Sequence, residues 1–450
     1  MGTSEHLNSI EPALAPLQQA AGAAGARAWL VGGYVRDRLL GRDHPDLDVV
    51  VEDGKGLEVA ERFAQVTGSP APVVFERFGT AQVRWGDRLV EFASARAESY
   101  APDSRKPEVR AATLEEDLVR RDFTVNTLLM DMRGRIEDRL GSGRADLGAR
   151  ILRTPRDPVE TFSDDPLRML RAIRFAAQLN FKLDPALVPA MRLLKNRLRP
   201  PVLSVERTAD ELRKMLLSPS PGAALTLMRD AGLLEVVLPE VAACQGVRQG
   251  GWHTHDVYGH TVESVEKAPA EVTVRLAALF HDVGKPVTAT ADGAFHGHDA
   301  AGARMTEEAL RRLRFSNAEA ARVAKLVKLH LRPVFYQSDW TDRAVRQLAQ
   351  DAGRELWTLM ALARADIAAS AYPHPEKLDE LEGRLRGVLE ERPTRLRLPI
   401  TGDDIMRELE LEPGREVGRV KKRLLELVTA GEVEPTREAV IGYLRANPRL

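Results

Sequence analysis

Three groups of residues in this 450-residue chain have types and spacings suited to chemistry. The first is Leu30-Val31-Gly32-Gly33-Tyr34-Val35-Arg36-Asp37, followed by Asp46-Leu47-Asp48-Val49-Val50-Val51. Side chains alternate faces along a strand, so Asp46 and Asp48 fall on one side while Leu47 and Val49 enter a core. Carboxylates so close repel unless a cation lies between them. Hard oxygen donors suit Mg²⁺, which completes its shell with water and substrate phosphates. Gly32-Gly33, at a strand-to-helix turn, lets backbone N–H groups and a helix N-terminus approach a phosphate chain. Alone, a Gly-Gly is usually a turn and an Asp-x-Asp a solvated surface. Together, around Arg36-Asp37, they describe a metal-dependent nucleoside triphosphate site.

The second group is Phe162-Ser163-Asp164-Asp165-Pro166-Leu167-Arg168. Asp165 and Arg168, three apart at a helix start, are expected on one face. A carboxylate accepts from an exocyclic amino group and a guanidinium donates to a ring nitrogen or carbonyl, so such a pair can read cytosine and adenine. The bland alternative is a capping aspartate with an i,i+3 salt bridge. The third group is histidine-rich: seven of the ten histidines (His253, His255, His260, His281, His296, His298, His330) fall within 78 residues. Imidazoles and aspartates gathered from several helices can hold a cation that lowers the pKa of bound water.

The first two groups resemble, in order, the nucleotidyltransferases similar to DNA polymerase beta, and specifically the bacterial-type (class II) tRNA nucleotidyltransferase and poly(A) polymerase family. The resemblance implies that Asp46, Asp48 and Glu91 face the metals. It implies that Gly32, Gly33, Arg36, Arg120, Arg121, Asp122, Asn126, Arg171 and Arg174 bind the nucleotide, the run Asp117-Leu118-Val119-Arg120-Arg121-Asp122-Phe123-Thr124-Val125-Asn126 contacting ribose and phosphates. Asp165 and Arg168 would select CTP and ATP without a nucleic-acid template. Asp164 stands where the family usually has glutamate. Asp138 and Asp146-Leu147 match a weaker linking element, and Glu206-Arg207-Thr208-Ala209-Asp210-Glu211 a helix brace. Leu279-Phe280-His281-Asp282-Val283-Gly284-Lys285 resembles the HD phosphohydrolases. That resemblance makes His260, His281, Asp282 and Asp366 metal ligands, with His298 and His330 as second-metal or phosphate contacts, and leaves His253 and His255 outside the first shell. The metal would be Ni²⁺, Mg²⁺ or Mn²⁺, and the chemistry phosphatase or 2′,3′-cyclic phosphodiesterase activity in 3′-end repair.

The elements needed to position these groups can be read from the chain. Ala28–Val31 and Leu47–Val51 read as strands, Tyr34–Leu40 as a helix, and Gln82–Trp85 with Leu89–Ala93 as a hairpin about Gly86-Asp87. After about Arg150 strand signals nearly vanish and amphipathic helices follow at Pro166–Leu179, Pro185–Leu198, Val205–Leu217 and Ala223–Ala231. The expected class is α+β: a polymerase-beta-like head (1–150), an all-α neck and body (151–250), an HD domain (251–372) and a helical tail (373–450). In the tail, only Pro399-Ile400-Thr401-Gly402-Asp403-Asp404-Ile405 resembles the family, as a start of the segment that holds tRNA.

Composition adds limits. Lys plus Arg number 65 against 66 Asp plus Glu, a net charge of −1, but Pro166–Lys214 alone holds eleven basic and four acidic residues, or +7. Arg192, Lys195, Arg197 and Arg199 there form an acid-free run suited to an RNA backbone, or simply a solvated helix face. One cysteine, Cys244, excludes an internal disulfide and a thiolate-rich zinc site. The absence of a leader-like start and of an 18-residue apolar run points to a cytoplasmic protein that does not bind membrane, as monomer or homodimer. The expected partners are tRNA, CTP and ATP. Two alternatives stay open: a poly(A) polymerase, and an HD hydrolase with an inert nucleotide-binding head. The segment Glu98–Pro107 is read as a full-length flexible loop, which favours addition of CCA or A over addition of CC.

Overall fold

The computed structural model describes residues 12–44, 46–76, 79–99, 108–252, 254–390, 398–429 and 431–448. They form two compact units, residues 1–328 with 364–372, and residues 329–363 with 373–450.

The first unit begins with α1 (Leu14–Ala23), β1 (Ala28–Val31), α2 (Gly33–Leu39), β2 (Leu47–Val51), α3 (Gly56–Thr67), β3 (Val73–Phe75), β4 (Thr80–Trp85) and β5 (Arg88–Ser94). A separate hairpin of β6 (Arg96–Ser99) and β7 (Glu108–Ala111) leads to α4 (Leu114–Val119), and β8 (Leu129–Met130) and β9 (Ile136–Glu137) close the head. Seven strands form one mixed sheet in the order β3-β4-β5-β2-β1-β8-β9. Only the β2–β5 pair in it is parallel among the described residues, and its register sets Asp48 beside Glu91. The expected hairpin about Gly86-Asp87 is present as β4–β5.

Both faces of this sheet are covered, so β2 carries apolar residues on each. On one face Phe63 of α3 packs against Phe92 and Trp85, with ring centroids 5.4 and 5.8 Å apart. On the other, Trp29, Val31, Val50 and Ala95 meet Leu114 and Leu118 of α4. Asp48 and Val50 share this second face. The apolar core therefore gives way to carboxylates at the end of the strand, just where α4 delivers Arg120 and Arg121.

The remainder of the unit is nearly all helical, as expected: α5 (Gly143–Ala149), a two-residue pair β10 (Ile151–Leu152) with β11 (Lys182–Leu183), α6 (Pro158–Asp164), α7 (Leu167–Leu179), α8 (Leu187–Leu194), α9 (Val205–Leu216) and α10 (Pro221–Asp230). Then come α11 (Leu234–Val237), α12 (Pro239–Ala242), α13 (Val257–Lys267), α14 (Val272–Phe280), α15 (Lys285–Thr288) and α16 (His298–Arg312). Asp146 ties α5 to its surroundings by accepting from Thr124 Oγ1 at 2.7 Å and Arg153 Nε at 3.3 Å.

In the second unit, Tyr336 is fully buried and donates its hydroxyl to Glu380 at 2.7 Å. Helices Gly402–Leu409, Arg415–Thr429 and Arg437–Ala446 enclose a small core of Ile405, Leu424, Val440 and Leu444. Thr401 and Asp404 form a reciprocal capping box there, and Arg437 donates to Asp404 at 2.6 and 3.0 Å. Among the described residues, no helix is long and apolar enough to cross a membrane.

Candidate functional site

The head and α7 bound two adjoining hollows of about 350 and 420 Å³ that share Asp48, Arg121, Asp122 and Arg171. Asp48 and Glu91 lie on the floor of the first; Asp165, Arg168 and Arg207 line it as well. Asp48 opens onto this hollow with protein on its other sides. The side chain is exposed toward the hollow, yet desolvation by the protein around it, joined by Glu91 and Asp46, raises its carboxyl above the ordinary value, while Arg121 and His44 pull the other way. Such an acid cluster is relieved by a cation, and its donors are all hard oxygens, so the residues fit a divalent metal such as Mg²⁺. Asp46 is exposed and precedes β2, so it is not itself a strand residue as the alternation argument had it. Glu91 accepts from Gln82 Nε2 at 3.1 Å.

The second hollow starts at the glycine turn. Gly32 has φ +77°, and a Cβ there would lie 3.1 Å from Asp48 Oδ2 and 3.5 Å from Arg121 Nη1. Gly33 is small for a different reason: a Cβ would stand 2.6 Å from His44 Nε2. The imidazole of His44 thus covers the turn, an arrangement sequence reasoning missed because the two residues belong to different elements.

Guanidiniums form the walls. Arg120 and Arg121 both donate to the buried Asp117, at 2.7 and 3.1 Å at closest. Arg36 donates to Asp37 at 2.7 and 2.8 Å and to Asn126 Oδ1 at 2.7 Å, and Asn126 in turn donates to Asp122 at 2.9 Å. Arg171 donates to Asp122 at 2.9 and 2.6 Å, and Arg174 to Glu211 at 2.6 Å. Burial alone would raise Asp122; Arg171, Asn126 and Arg168 overcome it and hold the carboxyl well below the usual range. Arg36, Arg171 and Arg174 also gather over one ring, Phe175, at 5.0, 5.3 and 3.9 Å.

The pair expected to read the base, Asp165 and Arg168, is built differently from the expectation. Asp165 has extended backbone (φ −140°, ψ 101°) between α6 and α7, because the residue before a proline avoids the helical region. Its Oδ1 accepts from the Leu167 N–H at 3.1 Å and its Oδ2 from Arg207 at 2.9 Å. Arg168 donates to the carbonyls of Thr161 and Arg120 at 3.3 and 2.7 Å. Both side chains line the same hollow, and no i,i+3 salt bridge joins them among the described contacts. Arg207, read from sequence only as part of a brace, is a lining residue. Asp164 pairs with Arg156.

Of the basic run, Arg192 donates to the Asp230 carbonyl, Lys195 pairs with Glu235, Arg197 donates to the Ser163 carbonyl at 3.3 Å, and Arg199 is exposed. Three of the four charges thus also brace the neck.

The histidine group converges within the first unit. His260 from α13, His281 and Asp282 after α14, and Asp366 from the helix Leu356–Ala368 are all buried. His260 Nε2 lies 2.9 Å from Asp366 Oδ1 and 3.2 Å from His281 Nε2, which is 3.1 Å from Asp282 Oδ2. His281 Nδ1 faces the Ala278 carbonyl at 2.8 Å and His260 Nδ1 that of Ala369 at 3.3 Å. With Nδ1 facing a carbonyl, each ring points Nε2 toward the shared point, where loss of the Nε2 proton would leave the lone pair a metal ligand needs. His260, His281 and Asp366 can jointly hold an ion. Burial would lower the His281 pKa, but Asp282 and Asp366 push it up to about 9, so the pocket favours positive charge. Gly284 is small because a Cβ would lie 2.1 Å from the His298 carbonyl oxygen, and this contact brings His298 Nε2 to 3.5 Å from Asp282 Oδ1. His330 is buried and belongs to the second unit. His255 and His296 are exposed, and His253 lies outside the described residues. Cys244 is buried, which pushes its thiol up to about 12 and makes it inert.

Comparison with known proteins places these sites in a family. The poly(A) polymerase head domain model matches residues 28–153, the model for a probable RNA- and SrmB-binding site of polymerase A matches 180–245, and the HD domain model matches 253–380. An A-adding tRNA nucleotidyltransferase of Deinococcus radiodurans is 34% identical over 92% of this chain and 94% of its own length. A CC-adding tRNA nucleotidyltransferase of Thermus thermophilus is 36% identical over 92% of each. A solved CCA-adding enzyme of Bacillus stearothermophilus in complex with CTP shares the fold, with TM-score 0.63, 24% identity and 98% of both chains covered. A tRNA nucleotidyltransferase solved with a primer tRNA and an incoming ATP analogue has TM-score 0.57 at 26% identity, over 83% of this chain and 99% of that one. Divalent-metal dependence is expected of both the nucleotidyltransferase and the HD families. With this identity holding over nearly the full length of curated relatives, the chain belongs to the tRNA nucleotidyltransferase family, with a poly(A)-polymerase-type head and an HD domain.

Proposed function

We propose that this enzyme adds C and/or A nucleotides to the 3′ end of tRNA from CTP and ATP, without a nucleic-acid template. The observation that carries the reading is the register of Asp48 and Glu91 on adjacent strands, on the floor of a hollow also lined by Asp165 and Arg168. Asp46 and Asp48 would hold Mg²⁺, with Glu91 as a third acid facing it. A bound divalent metal would supply Lewis acidity at the RNA 3′-OH that attacks the α-phosphate and would offset charge on the leaving pyrophosphate. Gly32, Gly33, Arg36, Arg171 and Arg174 bind the triphosphate; Arg120, Arg121, Asp122 and Asn126 fix ribose and phosphates. Asp165 keeps acceptor capacity beyond the Leu167 and Arg207 contacts, and Arg168 keeps three of its five N–H donors, enough to read the edge of cytosine or adenine. Arg199 is the basic-run residue best placed for an RNA backbone.

The division into head (1–150), neck and body (151–250), HD domain (251–372) and tail (373–450) is our functional partition, and we assign the activity to the cytoplasm, where tRNA is processed. In the HD domain, His260, His281, Asp282 and Asp366 would hold a divalent ion such as Ni²⁺, Mg²⁺ or Mn²⁺, and His298 would contact phosphate or a second ion. The reaction is hydrolysis of a phosphate ester at an RNA 3′ end: a water oxygen bonds to phosphorus, a ribose P–O bond breaks, and the ribose oxygen takes the proton.

Transfer assays on tRNAs ending before CCA and after CC test the first activity, with CTP and ATP supplied separately and added residues counted. A long run of A would favour the poly(A) polymerase reading, and incorporation by Asp46→Ala would refute the metal assignment. The loop expected to separate CC from full CCA addition falls largely on Tyr100–Pro107, outside the described residues.

A further inference from the structure

Trp252 is 49% exposed, whereas His260, His281, Asp282 and Asp366 are buried. It is nonetheless held in place. Its ring makes an edge-on contact with Tyr372 (centroids 4.8 Å apart, planes at 87°), and its carbonyl accepts the Ala371 N–H at 2.8 Å. Ala371 is two residues beyond Ala369, whose carbonyl orients His260, and five beyond Asp366. Three residues before Trp252, Gln249 Oε1 accepts from Lys285 Nζ at 2.7 Å, and the same ammonium donates to Asp282 Oδ2 at 2.7 Å. The peptide 249–252 is thus tied at one end to Asp282 and at the other to the segment bearing Asp366. An indole with half its surface open, on a peptide anchored to the segments that carry Asp282 and Asp366, is a surface on which a base can stack.

We propose that Trp252 is a nucleobase-stacking wall of the HD site. It receives the terminal base of a nucleoside 2′,3′-cyclic phosphate or of an RNA 3′ end while the phosphate lies at His260, His281, Asp282 and Asp366. The proposal rests on the phosphohydrolase reading above. Aromatic recognition accepts all four bases, so this subsite sets a requirement for a nucleoside, not for a particular sequence.

The test compares metal-loaded full-length protein with Trp252→Ala and Trp252→Phe, on nucleoside 2′,3′-cyclic phosphates and on methyl riboside 2′,3′-cyclic phosphate, which has the sugar and phosphate but no base. Trp252→Ala is expected to raise KM for the nucleoside substrates roughly 5- to 100-fold, Trp252→Phe much less, and neither to change kcat/KM on the base-free substrate. An equal loss on both substrates, or no change on either, overturns the proposal. Quenching of indole fluorescence by a nucleoside 2′,3′-cyclic phosphate provides a second readout. It should be present in wild type and His281→Ala and absent from Trp252→Phe. If wild type hydrolyses neither substrate yet shows this Trp252-dependent quenching, the hydrolase reading fails and the stacking subsite stands; no Trp252-dependent quenching overturns the subsite. Nucleotide incorporation by the head reports folding of each variant.

Discussion

Arg207 of α9 reaches 42 residues back along the chain to place Nη2 2.9 Å from Asp165 Oδ2, the carboxylate assigned to base reading. Half of the Arg207 side chain is exposed, so this charge-assisted bond contributes modestly, about 1 kcal/mol. Its consequence is orientation. Arg207→Ala is expected to raise KM for CTP and ATP about fivefold and to increase GTP and UTP incorporation, with the melting temperature nearly unchanged. Unaltered selectivity in single-nucleotide extension assays would remove Arg207 from the reading machinery.

Asp48→Asn keeps the size of the side chain while halving the charge shared with Glu91. Transfer should fall by roughly a thousandfold or more, since the groups that stabilise developing charge supply several kcal/mol. Glu91→Gln should cost less, because Glu91 also spends an oxygen on Gln82. Primer-extension rates under saturating Mg²⁺ measure both, and HD-domain hydrolysis should be untouched in each.

Asp282 is closely coordinated: nitrogens of His281, Lys285 and His298 all lie within 3.5 Å of its carboxylate. Asp282→Asn should therefore release the bound divalent ion on dialysis, as read by elemental analysis, and abolish phosphodiesterase activity while tRNA extension persists. Chelation of wild type should erase both activities, and restoring Mg²⁺ alone should recover extension.

Asp122 offers a pH test of stability. Its folded pKa is depressed, so its pairing with Arg171 stabilises the fold fully above the unfolded carboxyl value of about 3.9 and is lost only as pH falls through the lower folded value. Asp122→Asn breaks a buried pair, at a cost of about 3–5 kcal/mol. Urea titrations should show this gap constant between pH 8 and 5 and closing in stronger acid. A gap that already narrows at pH 6 would contradict the assignment.

Much of this was legible in the chain because it is local. The strands Ala28–Val31 and Leu47–Val51 came from short β-branched runs, the β4–β5 hairpin from Gly86-Asp87, and α7 and α9 from apolar spacing, each within a residue or two. What escaped depends on partners distant in sequence. That His44 covers Gly33, that Arg207 holds Asp165, and that Arg192, Lys195 and Arg197 brace the neck are decided by tertiary packing. Pro166 was a missed local signal: it takes Asp165 out of the helix, and with it the one-face argument for Asp165 and Arg168.

Phe175 has one further consequence. Three guanidiniums crowd a single uncharged ring within 5.3 Å, each also held by its own carboxylate at Asp37, Asp122 or Glu211. The ring works as an electrical spacer: its face attracts each cation while its bulk keeps them apart. If these three arginines bind the triphosphate as proposed, its counter-charges are already assembled and little order has to be created at the moment of binding. On that proposal, affinity for nucleotide would depend on a hydrocarbon that carries no charge and need not touch phosphate at all.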